Sequence, residues 1–302
     1  MVANAVELTV EQAWFVADTL GAGTIPWVLA ITPPYGERAA RAPFEARQRA
    51  ALTDMGVMAD DHRIDPAVAQ WITTTCRTRR WLELRFVSGS GRMLRGLVAR
   101  RDGPSDGQTI VALRNGGLVT FTELAIDHPE ALVPVLTAGL SGRPPARFDE
   151  FAIPARIGMR ADERLRQGAE LAEIVDFLGI PPSSRHVVAA AYAPGRSYVE
   201  VVAGDHRDGH RVSTGVGVSV VDTTAGRILV SPSKAFDGEW VSTFTSGTPL
   251  AIAAAVERLT ATLPDGPWFP HRPLTRDFDQ RTEDQQCRHH SQGPTPLHHA
   301  PR

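Results

Sequence analysis

The sequence predicts an α+β fold in which one central antiparallel β-sheet is flanked by two helical bundles, in halves related by a quasi-twofold internal repeat. Two observations carry this prediction. The hydrophobic period changes from about 3.6 residues to about 2 in each half of the chain, which indicates helices followed by strands. Short strings then recur in the same order in both halves, which indicates a duplicated unit.

The repeat rests on three pairs of strings. Trp81-Leu-Glu-Leu matches Tyr198-Val-Glu-Val at an offset of 117 residues, Ile110-Val-Ala matches Ile228-Leu-Val at 118, and Val119-Thr-Phe-Thr matches Ser242-Thr-Phe-Thr at 123. Chance similarity between β-rich strings is the alternative, but the agreement of order and spacing favours duplication. The predicted organisation is an N-terminal half over residues 1–145, a C-terminal half over 146–270 that is continuous with it, and a disordered His-rich tail over 271–302.

Helices open the N-terminal half. Thr9 and Gln12 have capping-box spacing, and Asp65-Pro66 is typical of an N-cap followed by the first helical residue. Pro43 is expected to begin the helix between them, and residues 21–31 are expected to be buried and either irregular or a short strand. The period-2 pattern predicts strands near residues 81–86, 93–100, 108–114 and 117–122, the first half-buried through Leu82, Leu84 and Phe86, before a helix near 129–140.

The C-terminal half repeats this order. Residues 142–154 contain three prolines and predict an ordered linker. Helices are expected at about 159–167, 169–178 and 183–192, strands at 197–203, 210–222, 227–232 and 239–245, and a last helix at 248–262.

Composition excludes several functional classes. Lys and Arg number 32 and Asp and Glu 34, so the net charge is −2. This balance excludes a polybasic nucleic-acid binder and a highly charged disordered chain. Cys76 and Cys287 are too few for a disulfide framework or a cysteine-based zinc site. The N-terminus is acidic where a signal peptide is basic, and no apolar run approaches the ~20 residues of a membrane span. We therefore expect a cytoplasmic protein that does not insert into membranes.

The search for catalytic motifs finds no phosphate-binding loop, dinucleotide fingerprint or nucleophile elbow, so no cofactor is predicted. The segment Asp205-His206-Arg-Asp208-Gly-His210 is the one cluster with metal-like composition. It predicts either an enzyme that uses His206 and His210 for metal or acid–base chemistry, or a polar hairpin turn. The Asp-Gly turn chemistry favours the hairpin.

Residues 211–222 predict one long strand with a flat face formed by Ser213, Gly215, Gly217 and Ser219. Glycine in a strand often marks a place where another backbone or a ligand approaches closely. This face is therefore either a docking surface or covered by the chain's own helices. Lys234, Phe236 and Trp240 follow near turns and are expected to lie at the rim of such a surface.

Several strings resemble the EspG family of mycobacterial ESX (type VII) secretion-associated proteins, most closely the member of the third ESX locus. The resemblance covers residues 5–280 and is carried by these strings: Val6-Glu-Leu-Thr-Val-Glu-Gln-Ala-Trp14, Gly21-Ala-Gly-Thr-Ile-Pro-Trp27, Ala46-Arg-Gln-Arg49, Gly142-Arg-Pro-Pro-Ala-Arg-Phe-Asp-Glu-Phe151 and Ser231-Pro-Ser-Lys-Ala-Phe-Asp-Gly-Glu-Trp-Val-Ser-Thr-Phe244.

This resemblance implies an ATP-independent cytosolic chaperone rather than an enzyme. Family members bind PE–PPE heterodimers at the apolar tip of the PPE subunit and keep them soluble for export. The resemblance also implies a binding surface made of the central sheet, the C-terminal bundle and the loop at residues 101–108. The candidate partner-binding residues are thus Arg101, Asp102, Ser105, Asp106, Ser213, Gly215, Gly217, Ser219, Lys234, Phe236 and Trp240. The ESX membrane machinery and a second copy of the chain are further candidate partners.

Overall fold

A single antiparallel sheet of eleven strands organises the part of the chain that the computed structural model describes, which is residues 4–100, 108–193, 195–207, 210–264 and 266–269. The strands are β1 Ala5–Thr9, β2 Arg80–Val87, β3 Met93–Arg100, β4 Gln108–Asn115, β5 Leu118–Ala125, β6 Phe151–Pro154, β7 Ser197–Arg207, β8 His210–Ser213, β9 Val218–Thr223, β10 Gly226–Lys234 and β11 Trp240–Ser246. Their order is β1-β5-β4-β3-β2-β7-β9-β10-β11-β6, and β8 pairs with the far end of β7.

Eight α-helices accompany the sheet in the described residues. They are α1 Val10–Thr19, α2 Arg41–Asp54, α3 Pro66–Arg77, α4 Val133–Thr137, α5 Ala155–Arg166, α6 Leu171–Phe177, α7 Arg185–Tyr192 and α8 Pro249–Ala261. Local sequence explains their starts. Thr9 and Gln12 form the predicted capping box at α1, and the Asp65 carboxylate accepts from the Ala67 and Val68 amides at α3. No helix in the described ranges combines the length and apolar character needed to cross a membrane.

Both faces of the sheet are covered. On one face, which we call the bundle face, α1–α3 pack on the N-terminal strands and α6 and α7 pack on the C-terminal strands. On the opposite face, the α8 face, helix α8 crosses β7, β9 and β10 and buries Ile252, Val256 and Leu259. Strand β2 buries Leu82, Leu84 and Phe86 on the α8 face, whereas Arg85 on the bundle face is exposed, so the prediction of a half-buried strand is confirmed. The exception is Trp81, which is buried on the bundle face.

Several other elements and boundaries differ from the prediction. Helix α5 begins at Ala155 rather than near residue 159, and strand β7 continues to Arg207 rather than ending near residue 203. Strands β1 and β6 were not predicted, because these short edge strands pair on one side only and show little alternation. Helix α2 begins at Arg41 rather than Pro43, and a 3₁₀ turn at Pro129–Leu132 replaces the start of the predicted helix before α4. The linker before β6 is ordered as predicted, since the Arg227 amide donates to Pro144 at 2.7 Å.

The predicted strand over residues 210–222 is interrupted, and this is the largest correction. Thr214 pairs with Ala203 of β7 through a 2.9 Å hydrogen bond, whereas Val218 lies opposite Val201. Residues 215–217 therefore stand opposite the single residue Val202 and form a bulge between β8 and β9.

Candidate functional site

A groove of about 380 Å³ lies on the bundle face of the C-terminal half, between helices α5 and α7 and the sheet. We call it the C-terminal groove. Helix α5 contributes Met159 and Asp162, and helix α7 contributes Tyr192. Its floor consists of side chains from β7, β9, β10 and β11, which are Tyr198, Glu200, Ser219, Val221, Val230, Ser242 and Phe244.

The groove exists because helices cover the bundle face of the sheet less completely in the C-terminal half than in the N-terminal half. Residues that lie opposite each other on neighbouring strands form a row across the sheet. In the N-terminal half one such row runs from Glu83 of β2 through Leu97, Ala112 and Phe121, and these last three are at most 1% exposed beneath α1–α3. From Glu200 in β7, the row in the C-terminal half continues through Ser219, Val230 and Phe244, which line the groove. Helix α3 packs across β3, β4 and β5, whereas helix α7 packs mainly on β9. Ser219 and Val230 of the C-terminal row therefore stay partly exposed.

The groove combines an apolar floor with a few polar groups. Burial, together with the neighbouring Asp162 carboxylate to which its hydroxyl donates, raises the pKa of Tyr192 to about 12. Arg196 donates to the Tyr192 carbonyl at 3.0 Å and lies over the Tyr198 ring at 5.7 Å. Glu200 is exposed at the inner end of the floor. Such a surface suits an apolar partner element whose orientation is fixed by a few polar contacts.

The matching carboxylate of the N-terminal half has a different environment. Glu83 accepts from the Trp81 indole N–H at 3.3 Å and lies 3.6 Å from Arg211, with a side chain only 16% exposed. The guanidinium of Arg211 also lies over the Trp81 ring at 4.5 Å. These contacts occupy Glu83 internally, whereas Glu200 is exposed opposite the exposed Arg85 of β2.

A second cavity, of about 680 Å³, lies between strands β8 and β10 at the end of the sheet. We call it the β8–β10 cleft. Consecutive residues of both strands line it, and consecutive side chains point to opposite faces of a sheet. The cleft therefore lies between the edges of the two strands rather than on one face of the sheet. Arg258 of α8 and two residues that follow this helix, Thr262 and Leu263, also line it. Its lining comprises Val212, Ser213, Thr214, Gly215, Val216, Pro232, Ser233, Lys234, Trp240, Arg258, Thr262 and Leu263.

The structure brings together four of the predicted partner-binding residues in this cleft: Ser213, Gly215, Lys234 and Trp240. Ser219 lies instead in the C-terminal groove. Phe236 is fully exposed on the turn between β10 and β11, beside the cleft-lining Lys234 and Trp240. Arg101, Asp102, Ser105 and Asp106 lie outside the described residues.

Gly217 corrects the prediction of a continuous flat face. A Cβ added there would lie 2.9 Å from the Val201 carbonyl oxygen, so this glycine accommodates the chain's own strand β7. A Cβ at Gly215 would have no atom within 4 Å. The alternation of exposure continues through the bulge, but only Ser213 and Gly215 of the predicted face border the cleft.

The His206–His210 cluster is a hairpin, as the turn chemistry favoured. Arg207 pairs with His210 across the β7–β8 turn, and the His206 ring packs edge-on against Trp81 at 5.4 Å. Within the described ranges, no three His, Cys, Asp or Glu side chains are placed to hold a metal ion. Asp208 of this cluster lies outside the described residues.

Sequence reasoning missed most of the groove. Met159, Asp162, Tyr192 and Glu200 belong to a helix, a helix end and a strand that the periodicity did predict. Their convergence depends on how α5 and α7 are placed over the sheet, which no local pattern encodes. Met159 gave the one usable signal, as a large apolar residue within the charged segment Arg-Ile-Gly-Met-Arg-Ala-Asp of α5, where it is 65% exposed.

Comparisons with known proteins agree on one family. The EspG family model matches residues 9–258. The chain is 64% identical to the ESX-3 secretion-associated protein EspG3 of Mycolicibacterium smegmatis, over 92% of this chain and 93% of that protein. It is 57% identical to EspG3 of Mycobacterium tuberculosis, over 92% and 98%. Among solved structures, it is similar to the M. tuberculosis type VII secretion chaperone EspG5 in complex with the PE25–PPE41 dimer, with a TM-score of 0.72, 18% identity, and coverage of 89% of this chain and 100% of that one.

Proposed function

We propose, from the premise that this chain belongs to the EspG family, that it is an ATP-independent export chaperone for type VII (ESX) secretion. In this proposal it binds PE–PPE heterodimers in the cytoplasm, through the tip of the PPE subunit, and keeps them soluble. The observation that carries the proposal is the identity of 57–64% to two ESX-3 secretion-associated proteins along almost their whole length. The fold shared with EspG5, which was solved with a PE–PPE dimer, supports it.

The structure offers a surface suited to this task. An exposed apolar helical tip would aggregate if left uncovered. The floor of the C-terminal groove contains the apolar residues Val221, Val230 and Phe244 beside the polar residues Glu200, Ser219 and Ser242. We infer that this groove receives the tip, and that the β8–β10 cleft and the loop at residues 101–108 extend the contact. Reversible burial of apolar surface needs no nucleotide, because the substrate itself drives association.

The internal repeat belongs to the same proposal. The offset of 117 residues that relates the first pair of strings also relates Leu84 to Val201, which lie directly opposite each other at the centre of the sheet. The outward strand order, β2-β3-β4-β5-β1 in one half and β7-β9-β10-β11-β6 in the other, supports duplicated units about an axis at this pair. In this view, the row that begins at Glu200 in the C-terminal half is partly open, whereas helices cover the matching row that begins at Glu83 in the N-terminal half.

The test uses a matched pair of apolar-to-arginine changes. Met159 is exposed in the groove, and Phe177 is exposed on α6 outside its lining. We expect Met159→Arg to weaken the binding of a PE–PPE pair from the same genome at least tenfold, because the guanidinium must be desolvated against the apolar tip. Phe177→Arg is expected to bind within twofold of the wild type.

Binding is measured by titrating purified chain into a labelled pair, after coexpression identifies a pair that is captured. Failure of the wild-type chain to bind any PE–PPE pair would contradict the proposed function. Equal binding by the two variants would instead remove the groove from the interface. The ESX membrane machinery and a second copy of the chain stay predicted partners that this experiment does not address.

A further inference from the structure

The sheet divides at one end, and this leaves two strand edges without partners. Strand β10 pairs with β9 only as far as Val230 opposite Ser219, yet it continues to Lys234 along β11. Strand β8 pairs with β7. The space where β8 and β10 would otherwise meet is the β8–β10 cleft.

Hydrogen bonds show which backbone groups face this space. The Thr214 amide donates to Ala203 of β7, so the neighbouring Ser213 directs its N–H and C=O the other way, into the cleft. On the opposite wall, the Ala235 amide donates to Glu239, so Lys234 directs its backbone groups away from β11 and also into the cleft. Pro232, two residues before Lys234, faces the cleft in the same way and offers a carbonyl but no N–H. The β8 wall is thus an edge that can pair with an added strand, and the β10 wall can pair through Lys234 and the Pro232 carbonyl.

The side chains around the cleft select by charge. Lys234 and Arg258 are the charged residues of its lining, and both are cationic. In the described part of the chain neither has an ion-pair partner, and the Lys234 ammonium lies 5.2 Å from the centre of the Trp240 ring. Two cations beside unpaired strand edges favour a segment that carries carboxylates.

The volume fits a short extended segment. With a rise of about 3.3 Å per residue, a strand spacing of about 4.8 Å and a sheet depth of about 10 Å, one strand residue fills roughly 160 Å³. The cleft of about 680 Å³ therefore has room for a short segment of a few residues in strand conformation.

We propose that the β8–β10 cleft binds an extended, acidic segment of the PE–PPE substrate as an added strand between β8 and β10. The proposal rests on the proposed function and names a contact separate from the apolar groove. The apolar contact supplies affinity in the groove, and the paired backbone and two cations in the cleft select among substrates.

Charge is tested first. The double variant Lys234→Glu, Arg258→Glu is expected to bind the PE–PPE pair at least tenfold more weakly than the wild type. The control Arg38→Glu, which reverses an exposed cation in the 3₁₀ turn before α2 of the N-terminal half, is expected to bind within twofold. A folded double variant that binds within threefold of the wild type would overturn the proposal.

Strand addition is tested through the backbone. Ser213→Pro removes the N–H that faces the cleft and places a ring there, so it is expected to weaken binding at least tenfold, while Ser213→Ala binds within twofold. Amide hydrogen exchange of the wild-type complex gives a reading independent of folding defects: the Ser213 and Lys234 amides should exchange at least tenfold more slowly than in the free chain. Unchanged exchange at both amides would overturn strand addition. If the wild-type chain binds no pair, both proposals fail; if it binds and the cleft variants bind equally well, only this one does.

Discussion

The clearest structural prediction concerns two glycines in the bulge. Gly217 has no room for a side chain, whereas Gly215 has open space around its Cα. At Gly217 an added Cβ would lie 2.9 Å from the Val201 carbonyl oxygen and 3.4 Å from a methyl of Val202. Unstrained carbon–oxygen contacts between strands are about 3.3–3.6 Å. Gly217→Ala must therefore move β9 from β7 by several tenths of an ångström, at the centre of the sheet.

The expected cost follows from that overlap. Forcing an extra methyl into a packed site costs about 1–3 kcal/mol, and the loss of backbone freedom in the unfolded chain on replacing glycine returns about 0.4–1 kcal/mol. We expect Gly217→Ala to lower the free energy of unfolding by roughly 1–2 kcal/mol, which corresponds to about 2–8 °C in melting temperature for a body of this size. Gly215→Ala is the matched control, because its Cβ meets nothing within 4 Å.

The assay is thermal unfolding of the two variants and the wild type, followed by circular dichroism and calorimetry. Gly215→Ala is expected to melt within about 2 °C of the wild type. A Gly217→Ala variant as stable as the wild type would refute the described contact with Val201. A large loss of stability in Gly215→Ala would refute the open position at the cleft.

Two further predictions concern buried polar groups. Asp222 accepts from Arg227 at 2.7 and 3.0 Å with almost no exposed surface, so Asp222→Ala should lower the free energy of unfolding by about 3–5 kcal/mol, and urea unfolding that shows a loss below 1 kcal/mol would contradict this. Burial raises the pKa of Tyr192 to about 12, so its contribution to stability should be complete below about pH 10 and lost as the pH rises towards 12. Ultraviolet titration should accordingly show a late tyrosine transition that Tyr192→Phe removes, and an unchanged titration curve in that variant would contradict the assignment.

Local chemistry explains what the sequence could predict. The Thr9 capping box and the Asp65-Pro66 start are encoded within four residues, and both form as expected. The string offsets also agree with the register: Phe121 and Phe244 occupy the same position in their rows, outward from Glu83 and Glu200. These features depend on residues adjacent in sequence or on alternation along one strand.

The features that escaped prediction depend on tertiary packing. The bulge at residues 215–217 arises where β7 must pair with two successive strands, and its glycines match the pattern of a flat strand equally well. The C-terminal groove arises because α7, with eight residues, covers less of the sheet than α3, with twelve. Neither helix carries a signal that tells how many strands it will cross.

The central claim is that the C-terminal half of this chain binds a PE–PPE heterodimer through the groove and the adjoining sheet. Hydrogen exchange measured along the whole chain, with and without a captured pair, tests it most directly. The account predicts slowed exchange in α5, α7 and strands β8–β11, with little change in α1–α3. Slowed exchange confined to the N-terminal bundle, or the absence of any stable complex, would contradict it.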